Sequence, residues 1–96
     1  MGNISKFYSN GNAFVAIREN GGIAGAWGHS SYGGNLPQSL VGVKVSEIHS
    51  TQGAFVAIRE DGEIAGAWGS SSYGGNLPHG LVGVKVSEIH STATWF

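Results

Sequence analysis

The sequence predicts an all-β fold in which one small antiparallel unit occurs twice. The segment Ala13–Gly28 (AFVAIRENGGIAGAWG) returns as Ala54–Gly69, which gives a repeat of 41 residues. Between residues 10–50 and 51–91, 33 of the 41 aligned positions are identical. No stretch shows helical periodicity, and 17 glycines with three Trp, three Tyr and four Phe are typical of tightly turned β-structure. A period of this length indicates stacked or circular repeats.

A shorter segment occurs three times and defines the ends of the chain. Ile4–Ser9 aligns with Val45–Ser50, and Val86–Phe96 repeats the same segment once more. We therefore predict a single repeat domain over residues 1–96. It has an overhang strand at 4–9, repeats at 10–50 and 51–91, and a C-terminal overhang at 86–96.

Each repeat is predicted to open with a β-hairpin. AFVAIRE is short and apolar, with a β-branched pair, which favours a strand. Asn20-Gly21 and Asp61-Gly62 follow it and predict a type I′ turn, in which both central residues have positive φ. The return strand is IAGAWG. Both hairpin faces are almost uncharged, so we expect neighbours on each face.

The second half of each repeat is predicted to be a connection and a further strand. Ser30–Pro37 and Ser71–Pro78 are rich in turn residues and leave room for a short edge strand at Gly34–Leu36, with the proline at an edge. The segment LVGVKVSEIHS, beginning at Leu40, reads as the next strand. Three or four short antiparallel strands per 41 residues is the pattern of a β-propeller blade, meaning one small sheet of a radial array.

These motifs resemble the regulator-of-chromosome-condensation type of β-propeller repeat, and most closely its bacterial branch, which includes propeller-type β-lactamase inhibitors. The resemblance rests on matching residues in the two repeats: Ile17, Asn20-Gly21, Trp27-Gly28, Gly33-Gly34 and Pro37, with Ile58, Asp61-Gly62, Trp68-Gly69, Gly74-Gly75 and Pro78. The return strand IAGAWG is longer before its Trp than in the resembling family, which implies a β-bulge at Gly25 and Gly66. Such propellers close a ring of about four to eight blades, and two blades cannot close. The resemblance therefore implies completion by homo-oligomerisation, with six blades in a trimer or eight in a tetramer.

Aromatic and amide side chains are the candidate functional residues. Tyr32 and Tyr73 lie in the Gly-rich loops, where an exposed aromatic suits either binding or structure. Asn35 and Asn76 complete this candidate binding loop, or else satisfy turn backbone. Trp27 and Trp68 could stack on a ligand, but we assign them a structural role, packing between adjacent sheets.

Histidines and carboxylates give no catalytic or metal pattern. His49 and His90 end the strand that, in the resembling family, lines the inner side of each blade. Neither belongs to an HxxxH motif. The chain has no cysteine, no phosphate-cradling GxxxxGK, and no G-x-S-x-G elbow. The carboxylates at 60–63 sit on a solvated hairpin turn, which is unsuited to acid–base catalysis. We expect no enzyme activity, no cofactor and no metal.

Composition excludes two classes of partner and leaves two functions. Five Lys and Arg and a net charge of −1 do not make the basic surface of a nucleic-acid-binding protein. No apolar run is long enough for a membrane helix. The start MGNISK is not a signal peptide, so cytoplasm is the default expectation. The two hypotheses are a self-assembling structural fragment, duplicated recently or engineered, and a protein- or glycan-binding module using the Gly/Tyr loops.

Overall fold

The computed structural model describes residues 3–75 and 79–86, and its six strands form two three-stranded antiparallel sheets. The strands are β1 (Ile4–Ser9), β2 (Ala13–Arg18), β3 (Ile23–Gly28), β4 (Val45–Ser50), β5 (Ala54–Arg59) and β6 (Ile64–Gly69). Sheet one has the order β1-β2-β3 and sheet two the order β4-β5-β6. The described residues also form four short 3₁₀ turns: Ser30–Tyr32, Gln38–Leu40, Ser71–Tyr73 and His79–Leu81. The all-β prediction is confirmed. Beyond Val86, the predicted C-terminal overhang lies outside the described residues.

The two sheets have the same register. Phe14 stands opposite Trp27 in sheet one, and Phe55 stands opposite Trp68 in sheet two. In both hairpins the return strand contains one extra residue, because the partners of consecutive residues 16 and 17 are 25 and 23. The extra residue is Ala24, next to the glycine at which the sequence predicts the bulge.

The hairpin turn differs from the predicted type I′. The Gly21 amide donates to the Arg18 carbonyl at 2.9 Å, and Gly21 has φ 89°. No described residue other than glycine has positive φ, so Asn20 does not adopt the conformation that type I′ requires. The loop is instead a three-residue connection that ends on a left-handed glycine. The Asn20 Oδ1 accepts a hydrogen bond from the Gly22 amide at 2.8 Å, so its side chain stabilises the turn.

The connection after the first hairpin also differs from the prediction. Residues 34–36 form no strand, and the 3₁₀ turns at Ser30–Tyr32 and Gln38–Leu40 lie on either side of them. The next strand begins at Val45 and not at Leu40, because Gly42 turns the chain with φ 81°. Residues 42–45 then run beside the start of β3, and the Ile23 amide donates to the Val43 carbonyl at 3.0 Å. Each sheet thus gains a short fourth pairing beside its third strand, which agrees with the predicted three or four strands per repeat.

The main core lies between the two sheets. Val15 and Ile23 of sheet one and Phe55 of sheet two are the largest fully buried side chains. Leu40 is buried with them, and its Cδ atoms would lie 3.4 Å from a Cβ placed at Gly66. The packing between the repeats is therefore asymmetric: the connection of repeat one covers a face of sheet two.

Candidate functional site

The boundary between the repeats is built on an aromatic pair. In sheet two the Trp68 and Phe55 rings stack at a centroid distance of 5.5 Å, and the Trp68 indole N–H donates to the Gly33 carbonyl oxygen at 3.1 Å. A Cβ placed at Gly33 would lie 2.5 Å from the Phe55 ring. The loop of repeat one can therefore lie flat on this pair only because residue 33 is glycine.

The loop takes this shape because a capped 3₁₀ turn precedes the glycine. The His29 Nδ1 accepts a hydrogen bond from the Ser31 amide at 3.2 Å, and Gly33 then reverses the chain with φ 107°. In repeat two the Ser70 hydroxyl oxygen accepts from the Ser72 amide at 3.3 Å, and Gly74 has φ 92°. The two loops therefore have the same form although histidine replaces serine at the cap.

Sheet one carries the equivalent aromatic pair without a cover. Trp27 is 46% exposed where Trp68 is 3% exposed, and Phe14 is 45% exposed where Phe55 is 0% exposed. The Phe14 and Trp27 rings nevertheless keep the same stacking, with centroids 5.5 Å apart. The Phe7 ring meets Trp27 edge-on at 5.9 Å, and it too is exposed. We call Phe7, Phe14 and Trp27 the aromatic face.

Repeat two carries the matching uncovered elements at the other end of the chain. Leu81 is 41% exposed, whereas its equivalent Leu40 is 4% exposed at the internal boundary. A Cβ at Gly25 would meet nothing within 4 Å, whereas one at the equivalent Gly66 would touch Leu40. We call Gly74 and Leu81, with the turns at 71–74 and 79–81, the loop face.

The predicted binding-loop tyrosines meet at the inter-repeat boundary. The Tyr32 and Tyr73 rings lie edge-to-face, with centroids 5.8 Å apart. Gly53 lies under both rings, and a Cβ there would come 2.7 Å from Tyr32 and 2.6 Å from Tyr73. A cavity of about 280 Å³ opens beside them, and it is lined by Asn10, Asn12, Tyr32, Gln52 and Tyr73. We call this cavity the tyrosine cleft.

Sequence reasoning missed the residues that hold this cleft together. The Asn10 Nδ2 donates to the Tyr32 carbonyl at 2.7 Å, and the Thr51 hydroxyl donates to the Tyr73 carbonyl at 2.6 Å. Asn10 and Thr51 are equivalent positions at which the two repeats differ, as are Asn12 and Gly53. The sequence carries a signal for them, because these positions are among the few at which the two repeats differ.

The remaining predicted residues do not join the cleft. Asn35 is exposed and does not line it, and Asn76 and His90 lie outside the described residues. His49 is part-buried on β4, and its Nε2 lies 2.5 Å from the Glu47 carboxylate two residues earlier on the strand. Within residues 3–75 and 79–86, no three His, Asp or Glu side chains are grouped as metal ligands would be. The same ranges contain no helix with the length and apolar character needed to cross a membrane.

Comparison with protein-family models, with curated proteins and with solved structures finds no match to this chain. The resemblance to the regulator-of-chromosome-condensation repeats therefore stays a prediction from the motifs. What the chain can do has to be argued from its own surfaces, which are the aromatic face, the loop face and the tyrosine cleft.

Proposed function

We propose that this protein is a self-associating structural unit, without catalytic activity, whose copies together complete a ring of propeller blades. The observation that carries the proposal is the difference between two aromatic pairs of identical sequence. Phe55 and Trp68 are covered by a neighbouring repeat, whereas Phe14 and Trp27 are exposed in the single chain. A second copy of the chain carries a loop of the form that covers this pair.

The size of the aromatic face is consistent with association that depends on ring closure. Covering the exposed parts of three aromatic rings removes on the order of 300 Å² of apolar surface. At about 25 cal/mol per Å² this is worth roughly 7 kcal/mol. The loss of translational and rotational freedom on association costs about 4–15 kcal/mol. One junction alone is therefore expected to be weak, and a closed ring, in which every chain makes two junctions, is expected to form cooperatively.

The number of copies follows from the blade count. Each chain supplies two sheets, and closed propellers contain about four to eight blades. We propose a trimer with six blades or a tetramer with eight.

Substitution within the aromatic face tests this proposal. Trp27→Asp places a charge where a neighbouring loop would pack, so light scattering after size exclusion should give the mass of one chain. Val41→Ser is the matched control, because Val41 stays exposed even at the internal boundary and so lies outside the covered surface. We expect the control to keep the wild-type mass. A Trp27→Asp protein that keeps the wild-type mass would refute self-association through this face.

A second candidate function is a protein- or glycan-binding module, and the tyrosine cleft favours it. The cleft combines two aromatic rings with amide side chains and has no charged residue in its lining. Tyrosine rings can pack against the apolar face of a sugar while amides bond its hydroxyls. Saturation-transfer NMR with methyl glycosides of common hexoses should show transfer that is lost in Gly53→Ala. If no glycoside shows transfer, the cleft does not bind glycans of this class. Peptide ligands would then be screened in the same way.

A further inference from the structure

We infer that self-association is head-to-tail: the aromatic face of one copy receives the loop face of a second copy, in the geometry of the internal boundary. This inference rests on the proposed function and adds to it the partner surface and the direction of assembly. Its starting point is that a complete example of the junction already exists within each chain, between Gly33 and the Phe55–Trp68 pair.

The first step transfers the hydrogen bond of the internal boundary to the junction between copies. Trp68 donates to the carbonyl of Gly33, and the equivalents of these residues are Trp27 and Gly74. The inferred junction therefore has the Trp27 indole N–H of one copy donating to the Gly74 carbonyl of the next. Glycine is required at 74 for the reason it is required at 33, because the loop must lie flat on a phenylalanine ring.

The second step concerns an apolar contact some distance from that bond. At the internal boundary Leu40 packs over Gly66 and is buried. Its equivalent Leu81 is exposed, and Gly25, the equivalent of Gly66, has open space above it. One placement of a second copy brings Leu81 over Gly25 and Gly74 over Phe14. The two faces thus match at two separate points.

The third step is that both faces already have the bound shape. The aromatic pairs of the two sheets have the same centroid separation, 5.5 Å, and the glycines at 33 and 74 both have positive φ. Among the described residues of the two faces, the aromatic pair and the glycine turn therefore need no rearrangement to make the contact, so little of their interaction is lost to reorganisation.

These contacts exclude a face-to-face dimer as the favoured arrangement. Two aromatic faces placed together would leave Leu81 exposed and would give the Trp27 N–H no loop carbonyl to bond. A face-to-face contact is also closed by its two-fold axis after two copies. A head-to-tail contact leaves one face free at each end, so copies add until a ring closes.

Mixing two variants separates the two arrangements. Trp27→Asp disables the aromatic face and leaves the loop face intact, whereas Leu81→Asp does the reverse. Head-to-tail association predicts that each variant alone has the mass of one 9.9 kDa chain. Because a single junction is weak, the equimolar mixture is measured at protein concentrations high enough to populate one junction. There it should form a species of twice that mass and nothing larger, because only one intact junction can form.

Each other outcome has a defined meaning. If Leu81→Asp alone keeps the wild-type mass, or if the mixture at these concentrations contains no mixed species, the head-to-tail inference is wrong while self-association stands. If the wild-type chain is itself monomeric, the proposed function fails and the inference fails with it. Circular dichroism confirms that each variant is folded. Gly74→Ala serves as a second loop-face variant, and its mixture with Trp27→Asp should likewise double in mass.

Discussion

The indole N–H of Trp68 donates to the carbonyl oxygen of Gly33 across the boundary between the two repeats, at a distance of 3.1 Å. The donor is on a buried side chain, so removing the bond would leave a buried polar group unsatisfied, at a cost of about 1–3 kcal/mol. Trp27 lies 41 positions before Trp68, and Gly74 lies 41 positions after Gly33, so both residues of this contact have an equivalent in the other repeat. Stability within the chain and association between chains are therefore expected to depend on one kind of contact.

Replacement of Gly33 by alanine should destabilise the internal boundary. The added Cβ would lie 2.5 Å from the Phe55 ring, and residue 33 also has φ 107°. Gly11→Ala is the control, because Gly11 has φ 91° and nothing within 4 Å. The control should lose about 1–2 kcal/mol from backbone strain alone. Gly33→Ala should lose a further ~1–3 kcal/mol through overpacking. Equal losses in urea unfolding would show that the loop does not lie on Phe55.

Replacement of Gly53 by alanine should force the two tyrosines of the cleft apart. Its Cβ would come within 2.7 Å of both rings, so the free energy of unfolding should fall by about 1–3 kcal/mol. Gly80→Ala is the matched control, because a Cβ there meets nothing and repeat one has Ser39 at the equivalent position. Unfolding monitored by tyrosine fluorescence compares the two, and a Gly53→Ala protein as stable as the control would contradict this packing.

The cap of the first 3₁₀ turn should accept serine in place of histidine. Ser70 makes the same bond to the backbone in repeat two that His29 makes in repeat one. We expect His29→Ser to cost less stability than His29→Ala, which loses the acceptor and should cost about 0.5–2 kcal/mol. The order of the two thermal midpoints decides the matter, and the reverse order would show that the His29–Tyr32 ring contact dominates.

Removal of residues 87–96 should leave the number of chains in the assembly unchanged. The C-terminal segment repeats the sequence of β1, so in another chain it could pair only where β1 pairs, beside β2. That position is already occupied, because β1 pairs with β2 along its length. Sedimentation velocity of the shortened chain measures the effect. A change in the number of chains per particle would show that the C-terminal copy competes with β1 after all.

The repeat made most of the fold predictable from the sequence, because local patterns that occur twice support each other. The strands from Ala13 and from Ile23 follow from the apolar pattern and the glycine positions, and the bulge lies one residue from the glycine at which it is predicted. The turn type did not follow, because Asn20 can either adopt positive φ or bond the next amides with its side chain. The choice between these depends on the strand register, which places Gly21 at the left-handed position.

The candidate functional surfaces were less predictable, for a physical reason. Phe14 and Phe55 lie in identical local sequences, as do Trp27 and Trp68. Their exposure differs only because a preceding repeat exists for one pair and not for the other within the chain. Local sequence therefore predicts the aromatic pair and not its burial. The repeated pattern does not predict the tyrosine cleft either, because the cleft depends on Gly53, a position at which the two repeats differ.

The central claim is that copies of this chain complete one another, and the mass of the wild-type assembly tests it most directly. Native mass spectrometry and light scattering over a concentration series should give one discrete species of three or four chains, each of 9.9 kDa. A single chain at every concentration would contradict the claim, because the aromatic face would then be stable in water without a partner.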